Sequence, residues 1–242
     1  MKKSPLLGIL GGLGPMSSVY FYEMLTEHTE AECDQDHLNI IISSHASTPD
    51  RTAYILGKSD ENPLDVMIDD VKRLKQYGAD VIAIPCNTAH YFYNELKKEV
   101  DIPILNIIEE TVDVAFRSGT ECIGVLATDG TIKTESYQKV CADHGIRCEV
   151  PSEKEQAWLM DIIYGDIKKG KRADMEKFSE VCRSLEEKGC QRLVLGCTEL
   201  SLIKRNEGLG DIFLDSLEAL AHRTIMRCNK IAVGFPTYFD AR

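Results

Sequence analysis

Three segments of this 242-residue sequence recur in its second half, in the same order and at nearly the same spacing. The matching pairs are residues 8–11 and 124–127, residues 78–88 and 189–198, and residues 101–102 and 211–212. The corresponding offsets are 116, 111 and 110 residues. Because unrelated matches would not keep one spacing, the sequence predicts two similar halves with a cleft between them.

Each half alternates short apolar runs with longer amphipathic stretches. The apolar runs predict seven strands, at residues 6–10, 39–43, 81–84, 102–105, 123–126, 147–150 and 193–195. Residues 63–77 show the helical pattern of the stretches between them, because apolar side chains recur at helical spacing before Gly78. Alternating strands and helices predict an α/β fold of two pseudo-symmetric parallel-sheet domains, with the active site in the cleft between them.

The repeat also predicts where the chain divides. We predict an N-terminal α/β lobe over residues 1–112 and a second α/β lobe over residues 113–212. The C-terminal segment, residues 213–242, is predicted to pack back on the N-terminal lobe.

The charge of the chain limits its partners. The sequence contains 28 Lys and Arg residues against 39 Asp and Glu residues, a formal net charge of −11, and the acids are spread along the chain. Nucleic-acid binding depends on neutralisation of phosphates by Lys and Arg, so we expect no nucleic-acid partner. No apolar run approaches the roughly 20 residues that cross a bilayer, so we expect no membrane association and a cytoplasmic protein.

Nine cysteines are many for such a chain, yet no two of them form a C-x-x-C pair. Cys141, His144 and Cys148 come nearest to the spacing of metal ligands, but a structural zinc needs a fourth ligand, and we predict no metal. Most of the other cysteines lie singly in helix or strand patterns and are expected to pack as small hydrophobic side chains. These residues are Cys33, Cys122, Cys182, Cys190 and Cys228.

Cys86 and Cys197 differ from the rest because the repeat places them at equivalent positions. Each follows an apolar strand and precedes a helical pattern, and ligands of open α/β sheets bind at such carboxyl ends of strands. A helix N-terminus also stabilises a thiolate, so the thiol pKa is expected to fall from about 8.5 toward neutrality. The alternative is that the two cysteines only fill tight turns.

Two thiols that face each other across a cleft suit a reaction that inverts a carbon centre. A thiolate removes a proton from one face of the carbon while the other thiol delivers a proton to the opposite face. The residues after the cysteines, Asn87, Thr88 and Thr198, either cap the following helices or hold a substrate carboxylate. Glu199 either supports proton transfer at Cys197 or complements the helix dipole.

Four motifs together resemble the aspartate/glutamate racemases. They are Gly8-Ile-Leu-Gly-Gly-Leu-Gly-Pro15, Ser47-Thr-Pro-Asp-Arg51, Pro85-Cys-Asn-Thr-Ala-His90 and Gly196-Cys-Thr-Glu-Leu200. The resemblance spans most of the chain, and the two cysteine motifs are its most specific part. It implies racemisation of an acidic amino acid without pyridoxal phosphate or any other cofactor, between two α/β domains, commonly in a homodimer.

The resemblance also implies roles for individual residues. Cys86 and Cys197 would be the catalytic pair, while Asn87, Thr88 and Thr198 would hold the α-carboxylate and amino group. Arg51 and Lys168 would recognise the side-chain carboxylate of a dicarboxylic amino acid, an Arg as a bidentate fork and a Lys as a point charge. Lys169 is an alternative to Lys168, one position along the chain.

We therefore predict a racemase that acts on aspartate first and glutamate second. Glu199 supports this order, since glutamate racemases of the cell-wall type carry histidine at that position. Leu13 is a separate departure from the family, because many relatives have methionine there. The alternatives are a maleate isomerase, a hydantoin racemase, a malonate decarboxylase or a non-catalytic small-molecule-binding module. The decarboxylase would need only one protonating thiol, and the pair Arg51 and Lys168 favours a dicarboxylate over a neutral hydantoin.

Overall fold

Two four-stranded parallel sheets form the framework of the computed structural model, which describes residues 4–240. The first sheet contains β1 (Leu6–Gly11), β2 (Asn39–Ser44), β3 (Val81–Ala83) and β4 (Ile104–Leu105), and the second contains β5 (Cys122–Leu126), β6 (Arg147–Glu149), β7 (Arg192–Leu195) and β8 (Phe213–Asp215). The strand orders are β2-β1-β3-β4 and β6-β5-β7-β8. The two orders are equivalent, which explains the sequence repeat and confirms the predicted α/β fold of two parallel sheets.

Helices connect the strands and cover the sheets. The α-helices are α1 (Pro15–Glu27), α2 (Arg51–Ile55), α3 (Leu64–Gln76), α4 (Tyr93–Glu99), α5 (Ile107–Arg117), α6 (Asp129–Lys133), α7 (Ser136–Asp143), α8 (Glu153–Met160), α9 (Met175–Glu187), α10 (Thr198–Glu207) and α11 (Ser216–Arg227). Shorter 3₁₀ segments lie at Asp34–Asp36, Thr88–Phe92, Ile167–Lys169 and Thr237–Asp240, and a π-helical segment at Asp161–Asp166. Among the described residues, no helix is both long and apolar enough to span a membrane.

The hydrophobic core follows from the alternation of side chains along the strands. On β5, Ile123 and Val125 point into one apolar cluster, whereas Cys122 and Leu126 point into another. The first of these clusters also takes in Leu7 of β1, so it lies between the two sheets and joins them. The shared core holds the carboxyl ends of both sheets in a fixed relation.

Strand β8 is absent from the seven predicted strands. It pairs with β7, from Leu193 opposite Phe213 to Leu195 opposite Asp215, so residues 213–215 belong to the second sheet. The next element, α11, instead contacts α1 and α5. The segment 213–242 is thus divided between the two halves in its described part. The sequence does not predict β8 because its three residues, which end in Asp215, are too few to show the periodicity of a strand.

Candidate active site

The two repeated cysteines lie at the carboxyl ends of equivalent strands. Cys86 follows β3, Cys197 follows β7, and their residues are only 7% and 5% exposed. Both line one small cavity between the two halves of the molecule. Parallel strands end on the same edge of a sheet, and this edge of each sheet faces the other across the cavity.

All eight side chains predicted for the site line this cavity. They are Arg51, Cys86, Asn87, Thr88, Lys168, Cys197, Thr198 and Glu199. Lys168 lines the cavity, whereas the alternative, Lys169, does not. Five further residues complete the lining and were not predicted: Leu13, Asp50, Thr52, Thr128 and Tyr164.

Glu199 connects Cys197 to Lys168. The Cys197 thiol donates a hydrogen bond to Glu199 Oε2 over 3.0 Å, and Lys168 Nζ lies 3.7 Å from Glu199 Oε1. Burial lowers the pKa of Lys168, but Glu199, Tyr164 and the two site thiols together raise it above its ordinary value. Lys168 therefore carries a positive charge in the cavity.

The predicted lowering of the thiol pKa is wrong for Cys197. Burial, the carboxylate of Glu199 and its hydrogen bond raise the pKa of this thiol well above its ordinary value, although Lys168 acts in the opposite direction. Cys197 is the N-cap residue of α10, but desolvation and the nearby carboxylate outweigh the helix dipole. Cys197 therefore rests as a protonated thiol.

The helix predicted directly after Cys86 also differs from the structure. Residues Thr88–Phe92 form a 3₁₀ segment, and α4 begins only at Tyr93. His90 of that segment accepts a hydrogen bond from the backbone N–H of Ile107 at 3.2 Å, and its Nδ1 lies 2.9 Å from the carbonyl oxygen of Cys86. Burial lowers the pKa of His90, so it is a neutral, buried support for the Cys86 backbone.

Arg51 is a buried cation with no carboxylate partner among residues 4–240. It is 7% exposed, and its Nη1 donates only to the carbonyl oxygens of Thr48, at 3.2 Å, and Pro49, at 2.9 Å. Its Nε has no hydrogen-bond partner in the described part of the chain. A buried guanidinium with an unused donor is ready to bind an anion in the adjoining cavity.

The polar residues after the cysteines join the two halves. Asn87 Oδ1 accepts from the hydroxyl of Tyr137 at 2.7 Å, and Asn87 Nδ2 donates to Ser216 Oγ at 2.9 Å. Thr88 shares hydrogen bonds with Thr128 at 2.9 Å and with Thr131 at 3.1 Å. Thr198 likewise donates to the carbonyl oxygen of Pro85 at 3.3 Å. These bonds fix the side chains beside both thiols.

Tyr164 closes the cavity from the second half. It lies in the π-helical segment Asp161–Asp166, and its hydroxyl donates to Asp50 Oδ2 over 3.1 Å. Lys168 Nζ lies 4.3 Å from the centre of the Tyr164 ring, which orients the ammonium group. A larger cavity adjoins the first and shares Asp50, Arg51, Lys168 and Glu199 with it.

The structure defines an α/β protein of two parallel sheets with two cysteines in the cavity between them, and its fold is similar to that of known proteins. The family model described as Asp/Glu/Hydantoin racemase matches residues 10–224. The structure of the Picrophilus torridus aspartate racemase is similar, with a TM-score of 0.80, 28% sequence identity and 98% coverage of each chain.

Two curated relatives extend the comparison. The broad specificity amino-acid racemase RacX of Bacillus subtilis is 28% identical over 228 residues, which cover 91% of this chain and 96% of that protein. The glutamate racemase of Aquifex pyrophilus is 34% identical over 161 residues, 61% of this chain and 58% of that protein. The chain belongs to the Asp/Glu/hydantoin racemase family, and amino-acid racemisation is the activity that this membership supports.

Proposed function

We propose that this protein racemises an acidic amino acid, aspartate first and glutamate second, with Cys86 and Cys197 as the two proton carriers and no cofactor. The observation that carries the proposal is that both cysteines line one small cavity together with the guanidinium of Arg51, which has no carboxylate partner in the described part of the chain. The thiols supply the chemistry, and the guanidinium supplies the selectivity for an acidic side chain.

The charges of the cavity support a dicarboxylic substrate. Both Arg51 and Lys168 line the cavity, Arg51 buried and the Lys168 side chain 26% exposed, and only Lys168 has a carboxylate, Glu199, within 4 Å among the described residues. A substrate side-chain carboxylate in the cavity would give the Arg51 guanidinium the anionic partner that it lacks among the described residues. The similarity to a protein named aspartate racemase agrees with this preference.

The reaction moves protons between carbon and two sulfur atoms. From one enantiomer, the thiolate of one cysteine takes the α-proton, and the thiol of the other delivers its proton to the opposite face of the carbanion. Cys197 rests protonated, so it is the acid in the direction in which Cys86 is the base. In the reverse direction Cys197 must first lose its proton, and Glu199 Oε2, at 3.0 Å, is positioned to accept it.

The remaining polar groups hold the substrate backbone. We assign Asn87, Thr88 and Thr198 to the α-carboxylate and amino group, because all three are buried beside the thiols. The second N–H of Asn87 and the threonine hydroxyls retain hydrogen-bonding capacity beyond their contacts in the protein. Glutamate is placed second because the adjoining larger cavity, beyond Arg51 and Glu199, has room for one more methylene.

The test is proton NMR of L-aspartate and, separately, D-aspartate in D₂O, with EDTA and no added cofactor. The expected result is loss of the α-proton signal and formation of the other enantiomer. Glutamate and alanine are run in parallel, since the relative named RacX is described as having broad specificity. Absence of exchange with both acidic amino acids would contradict the proposed substrate class.

Cysteine variants test the mechanism. Cys86→Ser and Cys197→Ser are each expected to abolish racemisation, whereas Cys182→Ser is the matched control, because Cys182 is equally buried but lies in the apolar core of the second half. Full racemisation by either site variant would exclude a two-thiol mechanism.

We also propose that the protein is a cytoplasmic homodimer. The homodimer rests on the resemblance to the racemase family. Sedimentation equilibrium of the purified chain tests the homodimer, and a mass of one 27.1 kDa protomer at micromolar concentration would overturn it.

A further inference from the structure

The second sheet carries another pair of cysteines at the amino ends of its strands, away from the end that carries Cys197. Cys122 is the first residue of β5, and Cys190 lies two residues before β7 begins at Arg192. Their sulfur atoms are 3.7 Å apart, and the residues are 4% and 6% exposed. The sequence predicts that both pack as isolated hydrophobic side chains, but the structure brings them into contact.

The backbone around the pair is fixed by reciprocal hydrogen bonds. Gln191 donates its backbone N–H to the carbonyl oxygen of Cys122 at 2.9 Å, and Gln191 Oε1 accepts from the N–H of Cys122 at 3.2 Å. Neighbouring strands lie about 4.8 Å apart. Because Ile123 pairs with Arg192, Cys190 lies one residue out of register with Cys122, and a rise of about 3.3 Å per residue puts their Cα atoms about 6 Å apart. A disulfide bridges Cα atoms about 4.4–6.8 Å apart, so the strands need little movement.

A guanidinium group accompanies one of the two thiols. Arg147 Nε donates to Cys122 Sγ over 3.2 Å, and Arg147 Nη2 donates to the carbonyl oxygen of Lys188 at 2.8 Å. A Cβ on Gly189 would lie 3.0 Å from Nη2, so glycine leaves room for the guanidinium in this position. The Arg147 side chain is 58% exposed, although the two cysteines beside it are buried.

Reversible thiol oxidation requires a nucleophilic thiol and a second, resolving thiol, and Cys122 and Cys190 suit these two roles. A cation beside a thiol favours the reactive thiolate, which fits Cys122 as the nucleophile. Burial and the hydrogen bond with Cys122 raise the pKa of Cys190 to about 12, which fits it as the protonated, resolving partner. We propose that Cys122 and Cys190 are a redox pair that hydroperoxides convert into a disulfide.

The two steps balance in atoms and electrons. The Cys122 thiolate attacks the O–O bond of a hydroperoxide, an S–O bond forms, and the alcohol or water leaves after taking up a proton. Cys190 then attacks the Cys122 sulfur, the S–S bond forms, and the hydroxide leaves as water with the proton of Cys190. The hydroperoxide is reduced by two electrons and the two thiols are oxidised.

A second pair, Cys141 and Cys148, is the internal competitor. These two thiols hydrogen-bond to each other, but Cys141 is fully buried. The four cysteines lie on four different tryptic peptides, at residues 118–133, 189–192, 140–147 and 148–154. Mass spectrometry therefore identifies directly which pair is oxidised.

The full-length protein is treated with a stoichiometric amount of hydrogen peroxide, alkylated and digested, with a sample reduced by dithiothreitol alongside. The expected product is a disulfide between peptides 118–133 and 189–192 that dithiothreitol removes. Cys190→Ser is expected to leave a sulfenic acid on Cys122 that dimedone traps. A link between peptides 140–147 and 148–154 instead, or no link, would overturn the proposal.

The role of the guanidinium is tested by rate. Arg147→Gln is expected to slow disulfide formation, because it removes the cation that donates a hydrogen bond to the attacking sulfur of Cys122. Arg172→Gln, at an exposed arginine, is the control and should leave the rate unchanged. Equal rates for wild type and Arg147→Gln would contradict activation by Arg147.

Discussion

The thiol of Cys197 and the carboxylate of Glu199 form a hydrogen bond, with 3.0 Å between Sγ and Oε2. Both residues are buried, and the second carboxylate oxygen lies 3.7 Å from the ammonium group of Lys168. The carboxylate therefore has two effects on Cys197. It raises the pKa of the thiol, and it is an acceptor within reach when the thiol loses its proton.

Glu199→Gln removes both effects without changing the size of the side chain. We expect kcat to fall by about 10²-fold, the scale of a lost acid–base group. The pKa of Cys197 should also fall, because a raising charge is gone, so the descending limb of the pH–rate profile should move to lower pH. Steady-state kinetics between pH 6 and about 10 measure both effects.

Glu207→Gln is the matched control for that variant, since Glu207 lies exposed at the other end of α10. It should leave kcat and the pH profile unchanged. A Glu199→Gln enzyme with a wild-type profile would mean that the carboxylate takes no part in proton transfer at Cys197.

Gly14→Ala should disturb Glu199 from the other half of the molecule. Gly14 has φ 125°, and a Cβ there would lie 2.6 Å from Glu199 Oε1. The substitution should lower stability by about 1–3 kcal/mol through backbone strain and also reduce kcat by displacing the carboxylate. Gly57→Ala also places alanine at positive φ, 68°, but with no atom within 4 Å, so it should lower stability by less and leave kcat unchanged. Thermal melts and kcat of both variants separate the two effects.

Arg51→Gln tests recognition of the acidic side chain. The variant removes the charge but keeps some hydrogen-bonding capacity, and the loss of a charge-assisted bond of about 1.5–3 kcal/mol corresponds to a roughly 10- to 150-fold higher KM for aspartate. Arg51→Lys should restore it only in part, because the guanidinium fork is absent. An unchanged KM in both variants would argue against Arg51 as the carboxylate ligand, and the exposed Arg73→Gln is the control.

Much of the candidate site could be predicted from the sequence because it depends on local position. The repeat indicates which strands are equivalent, and the carboxyl end of a parallel strand fixes where Cys86 and Cys197 must lie. The polar residues that follow them are carried into the same cavity by the chain. For these residues, position along the chain determines position in space.

The features that the sequence did not predict depend on contacts between distant segments. Tyr164 reaches the cavity only because a π-helical segment of one half meets Asp50 of the other. The raised pKa of Cys197 depends on burial and on the direction of the Glu199 side chain, and neither follows from spacing. The contact of Cys122 with Cys190 likewise needs the register of β5 against β7, which no single-strand pattern contains.

Stability should depend on pH through two neighbouring carboxyl groups, those of Asp215 at the end of β8 and Glu218 in the first turn of α11. Burial and the neighbouring Asp215 raise the pKa of Glu218 from 4.5 to about 7, although Lys204, 2.8 Å away, opposes the rise. Between pH 4.5 and about 7, Glu218 therefore holds a proton in the folded protein that it has lost in the unfolded chain. The stabilisation is complete below pH 4.5 and is lost as pH rises through about 7.

Glu218→Gln should flatten that dependence, because glutamine does not titrate. Urea unfolding of wild type at a series of pH values from about 5 to 8 should show a falling free energy of unfolding from this group, and the variant should show a smaller fall. Some slope should remain, since burial also raises the pKa of Asp215. Glu176→Gln, at an exposed position on α9, is the control and should keep the wild-type slope. Parallel curves for wild type and Glu218→Gln would show that Glu218 titrates alike in the folded and unfolded chains.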